Sequence, residues 1–144
     1  MTFVDSNIFV RLFVEDDEQQ RPLARELLKQ AQAGAIDLVT GPPVFFEVAW
    51  VFSHTYTVPN GQVLDVLEAI LSFPGLRVLD RELIISALSL ARKADNAFAD
   101  SYIAASARHI HADNVATFNR KHFKKLGVSI HEAYLGRLGS CTSR

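Results

Sequence analysis

Only one cysteine, Cys141, occurs in the 144 residues, so neither a disulfide nor a cysteine metal site can form within the chain. That scarcity suits a reducing compartment, and no charged and then apolar leader opens the sequence, so the expected location is cytoplasmic. No apolar run reaches the length of a membrane span, which removes the membrane from the expected partners. Charge of one sign is lacking as well. A net charge of −1 gives no global attraction to nucleic acid, so any such binding must come from a local patch. Repeats, low-complexity tracts and linkers are absent too, so one ordinary domain is expected over 1–138, with a frayed tail at 139–144.

What is present belongs to a folded protein: 49% of the residues are hydrophobic and 22% charged. Strand and helix signals alternate. Thr2-Phe3-Val4 reads as a strand ending in Asp5, with Ser6 or Asn7 capping a short apolar helix through Phe13, after which Glu15-Asp16-Asp17-Glu18 forms a solvated turn. Ala24, Leu27, Leu28 and Ala31 mark one helical face that stops at Gly34. Ile36–Val39 is a second strand, and Pro42-Pro43 opens a helix whose stretch from Val44 to Phe52 is apolar nearly all round and therefore expected to be buried. Asn60-Gly61 begins another helix, Leu76–Leu79 a third strand, and Asp80 caps a helix over Glu82–Lys93. A further helix starts at Ala97. Val115–Phe118 and Val128–Ile130 supply strands four and five, separated by a short basic helix over Arg120–Leu126. This alternation predicts an α/β fold, a single-domain α/β/α sandwich around a central, mainly parallel five-stranded sheet.

Four polar residues interrupt these apolar elements. Asp5 and Asn119 stand at strand ends, where open parallel sheets bind ligands. Glu47 is the only charged residue between Asp37 and Asp65, so it has no sequence-local ion partner and must face a wet cleft, meet a cation or become protonated. Asp100 lies in the first turns of its helix, flanked by Phe98, Ala99, Ile103 and Ala104. Each has a plainer explanation: Asp5 and Asp100 suit helix N-termini, and a buried Glu can bond to backbone. Asp80 competes with Asp5, but the clean helix start after it favours a cap. His54 is expected to be a partly buried polar residue.

Asp5 in Phe-Val-Asp-Ser-Asn, Glu47 in Phe-Phe-Glu-Val-Ala-Trp, Asp100 in Phe-Ala-Asp-Ser-Tyr-Ile-Ala-Ala and Asn119 in Ala-Thr-Phe-Asn together resemble the PIN-domain ribonucleases, most closely the VapC-type toxins. The resemblance runs in order along essentially the whole chain. It implies a Mg²⁺- or Mn²⁺-dependent endoribonuclease, frequently a homodimer, held inactive by an antitoxin. Asp5, Glu47 and Asp100 fall on the family's acidic positions, and Asn119 stands where a fourth acid is usual. Ala97 fills the slot of one further acid, near Asp95 and Asn96.

Chemistry supports the same assignment. Mg²⁺ prefers oxygen ligands and commonly binds through a few carboxylates plus substrate phosphate. Asp5 and Asp100 are the expected metal ligands, Glu47 binds metal through water or orients the attacking water, and Asn119 offers a neutral contact, with Thr117 near it. Arg120, Lys121, Lys124 and Lys125 form the candidate RNA patch, with Arg11 as a second contact; the alternative is a solvated helix surface. Two other readings compete: a catalytically weakened module that binds RNA or protein, and an α/β phosphatase or phosphotransferase using Asp5 as nucleophile. The latter lacks a second Asp two residues after Asp5.

Overall fold

In the computed structural model, residues 1–131 are described, so the expected tail and the end of the expected domain lie outside the described residues. The chain divides into two compact units, the first spanning Met1–Arg81 and the second beginning at Glu82.

The first unit is built on a parallel sheet of β1 (Thr2–Phe3), β2 (Leu38–Thr40) and β3 (Leu76–Val78), in that order. Register pairs Thr2 with Leu38 and Phe3 with Val39, then Leu38 with Leu76 and Thr40 with Val78. Only the central strand β2 is buried at every position; Phe3 on β1 and Arg77 on β3 are exposed. Around it run α1 (Ser6–Phe13), α2 (Gln20–Gln32), α3 (Pro42–His54) and α4 (Asn60–Leu71). Phe9 and Phe13 of α1 stack on Phe73 at ring-centroid separations of 6.2 and 6.1 Å, and Phe13 meets Phe52 of α3 edge-on. Such pairs add about 0.5–1.5 kcal/mol each beyond burial, which ties α1 to the segment that follows α4 and to α3.

Two glycines govern the turns of this unit. α2 ends in a Schellman motif: the Gly34 N–H reaches the Ala31 carbonyl and the Ala35 N–H the Gln30 carbonyl, with Gly34 at φ +78°. Gly75, at φ +80°, carries the chain from α4 into β3 so close to α2 that a Cβ there would sit 2.2 Å from the Ala31 carbonyl oxygen.

After Asp80, at φ +51°, comes α5 (Arg81–Ala94), which from Glu82 belongs to the second unit, followed by α6 (Phe98–His109) and α7 (Arg120–Lys125). Ala104 of α6, Phe123 of α7 and Leu126 form a buried cluster lined by Leu90, Ala94, Val115, Val128 and Ile130. α5 and α6 also end in Schellman motifs, but with Asp95 (φ +48°) and His111 (φ +55°) at the left-handed position where glycine is usual.

Four expectations need correction. Among the described residues the sheet has three strands, not five. Val115–Phe118 and Val128–Ile130 make a single parallel bridge, Val115 to Ile130, because the chain leaves the extended path at once: the Asn119 N–H bonds to Thr117 Oγ1 and α7 starts at Arg120. Second, α3 is not buried all round. Pro43, Glu47, Trp50 and His54, spaced four, three and four residues apart, form one exposed stripe, with Trp50 58% exposed. Third, His54 is exposed, its ring stacked on Trp50 at 4.7 Å. The second strand also lies at Leu38–Thr40 instead of Ile36–Val39, since Thr40 pairs within the sheet.

Candidate active site

The first unit carries Asp5 and Glu47. Asp5 follows β1 and caps α1 itself, in place of Ser6 or Asn7: its Oδ1 accepts from the Ser6 N–H at 2.8 Å and, more weakly, from Ser6 Oγ at 3.4 Å. The cap uses one carboxylate oxygen, and the residue remains exposed. Its backbone is fixed from the neighbouring strand. Val4 N–H donates to the Val39 carbonyl at 2.8 Å, and the wholly buried Thr40 donates its hydroxyl to the Val4 carbonyl at 3.1 Å. Thr40 therefore positions the residue before Asp5, a role sequence reasoning missed; the available signal was a polar residue closing an apolar strand.

Glu47 stands on the exposed stripe of α3 and makes no hydrogen bond or ion pair among the described residues. A carboxylate that faces water needs no buried partner, so the burial argument does not apply to it. No hydrogen bond or ion pair among the described residues joins Asp5 to Glu47.

In the second unit the structure brings Asp100 and Asn119 together through a third residue. Asp100 lies in the first turn of α6 with its side chain 25% exposed, and its Oδ2 is 3.3 Å from Nδ1 of His122. The same Nδ1 is 2.8 Å from Nδ2 of Asn119, whose Oδ1 is buried without a hydrogen-bond partner. Asn96, 7% exposed, braces this corner: its Oδ1 accepts from the Ala97 N–H at 2.8 Å and its Nδ2 donates to the His122 carbonyl at 3.1 Å. His122 and Asn96 were both missed, His122 because it reads as part of a basic run. Thr117 serves the turn before α7 through its bond to the Asn119 N–H.

Of the candidate RNA contacts, Lys121 and Lys124 project from α7 into solvent, and Lys125 reaches the Asp95 carbonyl at 3.3 Å. Arg120 is half-buried. Arg11 is engaged elsewhere, with Nε on Gln20 at 2.8 Å and a terminal nitrogen on Asp16 at 2.9 Å. Asp16 also accepts the Tyr56 hydroxyl at 2.7 Å, which holds its carboxyl below the usual carboxylate range and raises the phenol. The hydrogen bond from Arg21 likewise lowers Glu15.

The PIN domain profile matches residues 2–128. The chain belongs to the PIN domain family. PIN domains are generally nucleases, and the match includes Asp5, Glu47, Asp100 and Asn119. No curated protein matches the chain. The donor chemistry of this PIN domain fits a hard divalent cation. Asp5, Glu47 and Asp100 offer carboxylate oxygens, and none has a Lys or Arg partner among the described residues. Within either unit, no three His, Cys, Asp or Glu side chains among the described residues gather closely enough to hold a metal by themselves.

Proposed function

We propose that this PIN domain is a Mg²⁺- or Mn²⁺-dependent endoribonuclease and the toxin of a VapC-type toxin–antitoxin pair. The observation that carries the reading is the set of three carboxylates, Asp5, Glu47 and Asp100, which have no Lys or Arg partner among the described residues and lie in the sequence motifs that resemble the family's acidic positions. Carboxylates that share a ligand site repel one another, and a divalent cation would relieve that repulsion. Asp5 and Asp100 are assigned as ligands, with Glu47 acting through a water or orienting the attacking one. When bound, the cation supplies charge neutralisation at the phosphoryl oxygens and acidifies water. The chain's own residues do the rest. Asp5 is presented by the β1 end that Thr40 braces, Asp100 lies 3.3 Å from Nδ1 of His122, and Lys121 and Lys124 attract RNA phosphates in a salt-dependent way.

The proposal extends to a homodimer and an antitoxin partner in the cytoplasm. Both rest on the family resemblance and on the large apolar content of Ile8 to Phe13 and Val44 to Phe52, of which Trp50 is exposed. Among the described residues no helix is long and apolar enough to cross a membrane.

Cleavage of a mixed RNA pool across a Mg²⁺ titration tests the reading. Wild type should cleave only with the divalent ion, and Asp100→Asn should be inactive at every concentration. RNA retained by the wild type but never cut would instead establish the weakened binding module, which the amide at Asn119 favours.

A further inference from the structure

One ring nitrogen in the second unit faces two neighbours with opposite demands. Nδ1 of His122 lies 2.8 Å from Nδ2 of Asn119 and 3.3 Å from Oδ2 of Asp100. Without a proton, Nδ1 accepts from the amide but turns its lone pair toward a carboxylate oxygen. With a proton, it donates to Asp100 but meets another N–H donor. Both contacts become favourable together in one arrangement: Nδ1 carries the proton, and the Asn119 amide is turned end for end so that its oxygen faces the ring. The two ends of an amide have nearly the same shape, so packing alone does not choose between them. Turning the amide does not lose an existing bond at its buried end, because Oδ1 has no partner there.

We propose that His122 is a positioning residue, its Nδ1–H shared between the side-chain oxygen of Asn119 and Oδ2 of Asp100. The functional half of this inference rests on Asp100 being a metal-binding acid; the shared hydrogen bond does not. The ring is well placed for the task. Asn96 holds the His122 carbonyl, and the next residue, Phe123, is buried at 4% against Ala104 and Leu126, so the backbone that follows the ring is fixed. The donor engages one Asp100 oxygen and leaves the other to bind, as partners behind a metal site commonly do. It also gives Asn119 a role that needs no charge: an acceptor that sets the ring, which an amide fills as well as an acid.

The arrangement can be read directly in the metal-free protein. In mildly alkaline buffer, ¹⁵N NMR of histidine-labelled protein, with His122 assigned by its loss in His122→Asn, should show the Nδ1–H tautomer. An Nε2–H tautomer overturns the shared bond. For the functional half, Mn²⁺ affinity is measured by calorimetry on two variants whose unfolding midpoints confirm that they fold. His122→Asn places an amide nitrogen where Nδ1 stood and should retain the wild-type affinity. His122→Gln places one where Nε2 stood and should lose about tenfold. Equal affinities, or the reverse order, would show that the ring does not act through Nδ1. If the wild type binds no Mn²⁺, the nuclease proposal fails on its metal, and the tautomer alone decides the shared hydrogen bond.

Discussion

Gly34 and Gly75 form a natural controlled experiment. Both have nearly the same left-handed backbone, at φ +78° and +80°, but a Cβ at Gly34 meets nothing within 4 Å, whereas at Gly75 it meets the Ala31 carbonyl oxygen at 2.2 Å and the carbonyl carbon at 2.5 Å. Alanine at either site carries the left-handed penalty, roughly 1–2 kcal/mol, partly offset by about 0.4–1 kcal/mol because alanine restricts the unfolded chain. Gly34→Ala should therefore destabilise by about 1 kcal/mol. Gly75→Ala carries in addition a clash of about an ångström against backbone, which no rotamer change can relieve. Overpacking of this kind costs about 1–3 kcal/mol or more, so the total is roughly 2–4 kcal/mol. For a chain of this length each kcal/mol lowers Tm by about 3 °C, which separates the variants by several degrees. Thermal and urea unfolding of both proteins measures the difference. Equal losses would refute the reasoning, because they would mean that the loop moves off α2 freely and that the close approach does not hold β3 in place.

Replacing Asn119 by Asp adds a negative charge beside Asp100 and should tighten Mn²⁺ binding in calorimetry, while lowering the Mg²⁺ needed for half-maximal cleavage and leaving the saturated rate nearly unchanged. Light scattering at dilute concentration should find a dimer, and a stable monomer would remove the homodimer from the proposal. In the α1–α2 turn, the lowered Asp16 carboxyl contributes stability that is present above its unfolded-state value and lost as pH falls through its folded value. Tyr56→Phe removes the largest cause of that shift, so the urea midpoint of the variant should fall less steeply on acidification.

Much of the fold could be read from residue type because the punctuation is local. Gly34 ends α2 through its own backbone freedom, Pro42 opens α3, and the apolar spacing of Val63, Leu64, Leu67 and Ile70 names the inner face of α4. Pairing is not local. Val115–Phe118 and Val128–Ile130 have strand composition, but a hydroxyl at Thr117 turns the chain and one bridge is all that remains. The ends of α5 and α6 are similarly hidden, since Asp95 and His111 do the work of glycine there. At the site, acids in apolar surroundings stood out, whereas the residues that set them did not. Thr40 looks like an ordinary strand residue and His122 like part of a charged run, and only their partners, the Val4 carbonyl and the Asp100 carboxylate, distinguish them. The exposure of α3 was equally unreadable, because composition records how apolar a helix is and not which of its faces lacks a neighbour.

The stripe on α3 has a practical consequence. Trp50 is the chain's single tryptophan, and it stands one helical turn from Glu47, exposed and stacked on His54. All indole fluorescence from the protein therefore originates beside one of the proposed acids. Anything that covers this face, RNA or another protein, shifts the emission of an intrinsic reporter, so occupancy near Glu47 can be followed in solution without attaching a dye.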